Sequence, residues 1–208
     1  MRYSDAAEQE IQALAQSMNV NIFRIVRQYA RLSDASEESW RMLLRPVSYR
    51  KGEQFISLGE VPTKVGFVVN GLFSQNYVSQ NGAETIKYFF PEGRFAASVS
   101  AMLTKTSSTF SVIALEHSKV LSYDFAEFRK LTESRSDVAA FYMSYLERHW
   151  IVEKEPLEIS FRYDTALKRY QRFLQTNPGL ASRLKKHQIA SYLGITPTQL
   201  SRLLPKTK

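Results

Sequence analysis

The residues best placed to do chemistry lie in one short stretch, Leu184 to Leu204, reading L-K-K-H-Q-I-A-S-Y-L-G-I-T-P-T-Q-L-S-R-L-L. By i, i+3, i+4 spacing Thr198, Ser201 and Arg202 share one helical face, while Leu200, Leu203 and Leu204 share the opposite one. One side packs and the other is left to touch a partner. Arginine pairs bidentately with guanine, so a helix that projects an arginine and hydroxyls from a tight turn suits reading of a DNA major groove. The alternative is an ordinary helical hairpin with solvated lysines.

The surrounding residues have the types needed to hold such a helix in place. Ile189, Ala190 and Leu193 fall on one face of a preceding helix, and Gly194 follows as the left-handed residue that ends it. The turn then buries Ile195. Thr196 is an N-cap, Pro197 takes the first helical position, where a missing N–H costs nothing, and Gln199 sits where a capping-box side chain reaches back. Charge is lopsided as well. From residue 161 onward there are ten Lys or Arg against Asp164 alone, while the remaining residues hold eighteen basic and nineteen acidic side chains. The whole positive excess of the chain therefore surrounds this turn, as a phosphate-binding surface requires.

At 208 residues and 44% apolar composition the chain holds one or two folded domains with a real core. No apolar run is long enough to span a bilayer, and the N-terminus lacks the basic start and apolar stretch of a leader, so a cytoplasmic protein without membrane attachment is expected. Cysteine is absent, which removes disulfides, thiol sensing and cysteine-held clusters. His117, His149 and His187 are scattered without ligand spacing, so neither metal nor cofactor is expected. An enzyme built on a double-stranded β-fold needs clustered His and carboxylate ligands, and the strand region offers His117 only. No general base lies near Ser98 or Ser108 in sequence to activate a hydroxyl.

Taken in order, residues 4–20 favour helix, with Ile11, Leu14, Ala15 and Met18 as an apolar stripe. Two more helical pieces follow at 21–29 and 36–44, the second opened by Ser33 or Ser36 and ended by Pro46. From Val47 to about Tyr123, glycines at 52, 59, 71, 82 and 93 separate short alternating runs, which implies a sandwich or barrel. Asn70-Gly71 and Asn81-Gly82 are hairpin dipeptides, since both central residues tolerate positive φ. Between Phe95 and Thr109 a short helix and a loop interrupt the strands. Asp124 caps another helix, running through Phe128 and Leu131. A long helix starts after Ser136 and carries Val138, Phe141, Tyr142, Tyr145, Leu146, Trp150 and Val152 on more than one face. That is more apolar surface than a solvated helix carries, and a two-fold-related copy of the same helix would cover it, as would the chain's own strands. Trp40 is a packing residue. Pro156 interrupts or kinks the long helix, and a first C-terminal helix spans 165–175.

Four stretches resemble the Crp/Fnr family of bacterial transcription regulators: F-I-S-L-G-E at 55–60, V-G-F-V-V-N-G at 65–71, S-K-V-L-S-Y-D-F-A-E-F-R-K-L at 118–131 and I-A-S-Y-L-G-I-T-P-T-Q-L-S-R at 189–202. The wording of the last is similar to the branch common in Bacteroidetes-type bacteria. The resemblance implies an α+β chain in three parts. An N-terminal helical extension and a double-stranded β-helix, or β-roll, of the cyclic-nucleotide-binding type fill 1–133, a long dimerisation helix fills 134–160, and a C-terminal all-α helix-turn-helix domain fills 161–208. It implies base and phosphate contacts at Thr196, Thr198, Gln199, Ser201 and Arg202, a homodimer paired through Phe141, Tyr145 and Val152, and partners that include double-stranded DNA, a small-molecule effector and RNA polymerase.

Two departures from the family pattern shape the functional expectation. Members that bind cyclic AMP carry Gly-Glu and, further on, Arg-Ser or Arg-Thr. Here Ala97-Ser98 and Ser108-Thr109 stand in those places, so the carboxylate for a ribose hydroxyl and the cation for a buried phosphate are both missing. Lys105 is a flexible point charge and no substitute for a forked guanidinium. The ligand pocket is thus expected at Ala97, Ser98, Ser108 and Thr109 in a degenerate form that does not respond to cyclic AMP. Secondly, after Leu204 only Pro205 to Lys208 remain, without the family's full β-hairpin wing, which leaves Lys185, Lys186, Lys206 and Lys208 to hold phosphates. A small-molecule-sensing protein that has lost DNA binding is the alternative this departure leaves open.

Overall fold

The computed structural model describes residues 22–203. The N-terminal stripe of Ile11, Leu14, Ala15 and Met18, and Leu204 with the lysines beyond it, lie outside those residues. The first helical turn, α1 (residues 22–26), is followed by α2 (Asp34–Arg41), which begins where Ser33 Oγ accepts the Ser36 N–H at 3.2 Å. Asp137 binds the same corner from far along the chain, accepting the Ser33 N–H and the Ser36 hydroxyl, each at 2.8 Å. A cap is thus turned into a tertiary tie.

Strands fill the next stretch: β1 (Arg45–Tyr49), β2 (Gln54–Ile56), β3 (Lys64–Asn70), β4 (Phe73–Val78), β5 (Glu84–Phe90) and β6 (Phe95–Ala96). After α3 (Val99–Thr104) come β7 (Phe110–Ala114) and β8 (Ser118–Asp124). They form two four-stranded sheets, in the orders β1-β8-β3-β6 and β2-β7-β4-β5. In the first, β3 and β8 run antiparallel with Val65 opposite Tyr123 and Phe67 opposite Leu121. Those four residues share one face and pack with Trp40, Phe128, Val138 and Phe141 into a single apolar cluster. The other face carries Gly66 and Val68 opposite Ser122 and Val120. Because β3 is covered on both faces, V-G-F-V-V at 65–69 reads as one apolar run.

Trp40, fully buried, sits among the rings of Phe128 at 4.9 Å, Phe141 at 5.0 Å and Phe23 at 5.9 Å between centroids. Asp124 caps α4 (Phe125–Ser134), accepting from Ala126 N at 2.9 Å and Glu127 N at 3.2 Å. Helix α5 (Ser136–Leu146) follows and passes directly into a π-helical segment, Glu147–Val152, where Glu153 N reaches Arg148 O at 3.0 Å. Next come α6 (Lys154–Tyr163), α7 (Ala166–Thr176), α8 (Leu180–Arg183), α9 (Lys186–Leu193) and α10 (Pro197–Leu203). The described residues divide into two compact units, one holding 22–75 and 89–146, the other 76–88 and 147–203.

Three expectations change in detail. Asn70-Gly71 joins strands of different sheets and so makes no hairpin; Gly71 is required because its φ is +102° and a Cβ there would overlap Ser118. Asn81-Gly82 does turn the β4–β5 hairpin, yet only Gly82 takes positive φ, with its N–H on Ser79 O at 2.9 Å, as in a type I turn closed by a left-handed glycine. Pro156 does not break the helix. It is the third residue of α6, in the first turn where its missing N–H is harmless, and the irregularity falls upstream in the π segment.

Candidate nucleic-acid interface

Helix α9 is set by its two ends and one buried side. At the start Gln188 Oε1 accepts the Lys185 N–H at 2.8 Å. Ile189, Ala190 and Leu193 are buried. At the end Gly194 is left-handed, φ 66°, with Ile195 N on Ala190 O at 3.0 Å, the hydrogen bond of a Schellman stop. Thr196 then starts α10 with a full capping box: Gln199 N donates to Thr196 Oγ1 at 3.1 Å and Thr196 N to Gln199 Oε1 at 2.9 Å. Pro197 is the first residue of α10. The Gly194 stop and the Thr196–Gln199 box follow the sequence expectation, while the Gln188 cap on Lys185 adds to it.

On α10 the division of faces is clear. Leu200 is 1% exposed and Leu203 half-buried, whereas Thr198, Gln199, Ser201 and Arg202 are all exposed. Arg202 has no hydrogen bond or ion pair among the described residues. Lys185 and Lys186 are exposed on the first turn of α9. Gln199 spends its carbonyl oxygen on the cap, which leaves its amide N–H groups as what it offers a partner.

The basic count shrinks where arginines are used inside the fold. Arg169 donates to Leu193 O at 3.1 Å and to Asp164 O at 2.9 Å, so it ties two helix ends together. Arg172 donates to Pro156 O at 2.9 Å and lies 3.2 Å from Asp164 Oδ2. Both are framework residues. Arg162, Lys168, Arg183, Lys185, Lys186 and Arg202 are exposed, which keeps the surface strongly positive.

No sequence pattern links the β4–β5 hairpin to these helices, yet the two are hydrogen-bonded. Ser191 Oγ accepts the Ile86 N–H at 2.9 Å and donates to Glu84 O at 3.4 Å, so a helix serine pairs with a strand edge. Nearby, burial pushes the Tyr192 hydroxyl up to about 12, helped by Tyr88 and Glu153. Lys154 lies 3.6 Å over the Trp150 ring, and burial, then Lys87, bring its ammonium down to about 8 against the pull of Glu158. The half-buried neighbours Ser191 and Tyr192 and the half-buried Lys154, well upstream, carry no local pattern that would have announced this.

In the other unit, Ala97, Ser98 and Ser108 are buried and Thr109 is exposed. Ser108 Oγ donates to Ser98 Oγ at 2.8 Å and lies 2.7 Å from Phe110 O, while Ser108 N and O bond Glu60 O at 2.7 Å and Gly59 N at 2.8 Å. The two hydroxyls are satisfied by each other and by the backbone. Lys105 is exposed at the end of α3 in a left-handed conformation. Among the described residues no group of three or more His, Cys, Asp or Glu is arranged to hold a metal.

The expected dimer contacts need correction. Phe141 and Tyr145 are 2% and 9% exposed, and Tyr145 accepts the Phe95 N–H at 3.2 Å while its ring packs on Phe95 at 5.0 Å. They belong to the protein's own core, because α5 lies against the sheet with its aromatic side. Val152, by contrast, is 55% exposed in the π segment, and Ile159 is 58% exposed on α6.

Comparison with known proteins now adds to this geometry. Residues 46–135 match the family model of the cyclic nucleotide-binding domain. Solved structures extend the likeness over most of the chain. FixK2 from Bradyrhizobium japonicum is 20% identical with a TM-score of 0.65, covering 77% of this chain and 82% of that one. The c-di-GMP responsive global regulator CLP of Xanthomonas campestris is 12% identical with a TM-score of 0.66, covering 84% and 91%. The catabolite activator protein of Thermus thermophilus is 17% identical with a TM-score of 0.52, covering 83% and 82%. At such identities the likeness is one of fold alone. No curated protein sequence matches the chain. No helix among the described residues is long and apolar enough to cross a membrane.

Proposed function

We propose that this chain is a Crp/Fnr-type transcription regulator that binds double-stranded DNA as a homodimer and does not respond to cyclic AMP. The observation that carries the reading is Arg202, exposed and without a partner among the described residues, on a helix whose start is fixed by the Thr196–Gln199 box. In this reading α9, the turn and α10 are a helix-turn-helix. Arg202 reads a base edge, Thr198 and Ser201 contact bases or phosphates, and Thr196, Gln199, Lys185 and Lys186 set the register on the backbone. Two copies place two such helices on half-sites about 34 Å apart, and a change of angle between them switches binding. Val152 and Ile159, seven residues apart and exposed, are the side chains offered to the second copy.

The two-sheet domain is then the sensor, for a small molecule other than a cyclic nucleotide. A buried cyclic phosphate needs a cation and an acceptor for its ribose, and Ser98 and Ser108 supply neither and bond each other instead. The protein works in the cytoplasm without catalysing a reaction, with RNA polymerase as the partner that its bound state recruits or blocks. Selection of bound fragments from the organism's own DNA tests this reading. A two-fold-related motif supports it, and recovery of no enriched sequence contradicts it. Calorimetry with cyclic AMP is expected to give no heat at millimolar ligand, whereas micromolar affinity contradicts the reading of Ser98 and Ser108.

A further inference from the structure

A cavity of about 290 Å³ opens at the β1 edge of the first sheet, bounded by Met42 and Leu43 after α2, Val47 on β1, Lys64 on β3 and Ser122 on β8. Its size is at the small end of ligand sites. It is separate from the place of Ser98 and Ser108. Ser98 follows β6, the opposite edge of the sheet, and Ser108, bonded to it, precedes β7 of the second sheet; between the two edges of the first sheet the Phe55 ring lies against Gly66.

Two features of the walls point to an occupant. Ser122 is 4% exposed, and its Oγ is buried with no hydrogen-bond partner among the described residues. A buried hydroxyl left unpaired is costly, and a ligand oxygen entering the cavity would remove that cost. The second feature is charge. Arg45 spends its guanidinium on Met42 O at 2.9 Å and Leu44 O at 2.8 Å. Asp124 is held by the start of α4, and Glu127 pairs with Lys130 at 2.8 Å. Lys64, opposite Asp124 in the β3–β8 pair, is the basic wall residue whose side chain makes neither a hydrogen bond nor an ion pair among the described residues. Met42, 66% exposed, and Val47, 36% exposed, supply apolar surface at the mouth.

From this arrangement we infer that the cavity binds a small amphipathic carboxylate, such as a medium-chain fatty acid, with its apolar body on Met42, Leu43 and Val47, an oxygen at Ser122 and its charge at Lys64. The inference stands on the sheet-edge geometry and is independent of whether the chain binds DNA.

The test is isothermal titration of the full chain with straight-chain carboxylates from butanoate to decanoate, beside the primary alcohols and alkylammonium ions of equal length. Affinity of the acids is expected to rise about fourfold per methylene until the cavity is full. The alcohols should follow more weakly, and the ammonium ions should not bind. Lys64→Met is expected to weaken the acids about tenfold and leave the alcohols unchanged. Val47→Trp, a change at a partly exposed mouth position with folding checked by circular dichroism, should abolish both. The inference is overturned if no acid binds at millimolar concentration, if ammonium ions bind as well as acids, or if Val47→Trp leaves binding intact. It is equally overturned if Ser108→Leu, away from the cavity and folded by circular dichroism, removes the binding.

Discussion

Replacing Thr196 by alanine removes one half of the box that starts α10. The bond lost is Gln199 N to Thr196 Oγ1 at 3.1 Å, while Thr196 N to Gln199 Oε1 at 2.9 Å involves the backbone and survives. The site is exposed, so water takes over part of the lost interaction, which places the cost near the middle of the usual range, about 1 kcal/mol. Helix α10 has seven residues and one fully buried side chain, Leu200. So short a helix is marginal without its ends, and the cost falls on α10 itself. If DNA binds α10 only when it is formed, affinity should drop by up to about fivefold, since 1.4 kcal/mol is a factor of ten. Fluorescence anisotropy on a selected operator fragment reads this directly. Thr196→Ser keeps the capping oxygen and should restore affinity. If serine fails as alanine does, with α10 intact by NMR amide shifts, Thr196 acts through its methyl group on DNA and the capping argument is wrong.

Arg202→Ala should cost about 1 to 3 kcal/mol at one operator base pair and blur the preference there; an equal loss on every sequence would make Arg202 a phosphate contact instead. Gly71→Ala and Gly82→Ala both force alanine into positive φ, but the first also drives a Cβ into Ser118 while the second meets nothing within 4 Å. Thermal denaturation should show a cost of about 1 to 2 kcal/mol for Gly82→Ala and a clearly larger one for Gly71→Ala; equal shifts would remove the steric argument. Lys154, brought down to about 8 by burial and Lys87, lies below the ordinary lysine value of about 10.4. The unfolded chain therefore holds its proton over a pH range where the folded one has lost it, so this group's contribution to stability rises as pH increases from about 8 to 10. Denaturant midpoints of wild type minus Lys154→Met should move in favour of wild type over that interval, and a flat difference would contradict the assignment.

What the sequence made legible was whatever is encoded within a few residues. The cap at Ser33, the cap at Asp124 and the whole turn from Gly194 through Gln199 are local hydrogen-bond chemistry, and each forms as its residue types demand. The faces of α10 follow from spacing alone. Long-range choices were harder to see. Phe141 and Tyr145 look like interface aromatics until α5 is laid on the sheet, where Tyr145 bonds Phe95 N and both rings enter the core. Arg169 and Arg172 add to the basic count until their carbonyl partners are known. Asn70-Gly71 has hairpin wording, but Ser118, nearly fifty positions on, decides why glycine is needed there. The pairing of Ser191 with the β5 edge has no periodic signature at all.

The claim that a basic surface around α10 grips duplex DNA is tested most directly by the salt dependence of binding to a selected operator. With Lys185 and Lys186 of two copies on phosphates, log K should fall against log salt with a slope of at least about −3.5, and it should become distinctly shallower in Lys185→Ala/Lys186→Ala. A complex insensitive to salt, or one whose slope the double substitution leaves unchanged, would contradict the account.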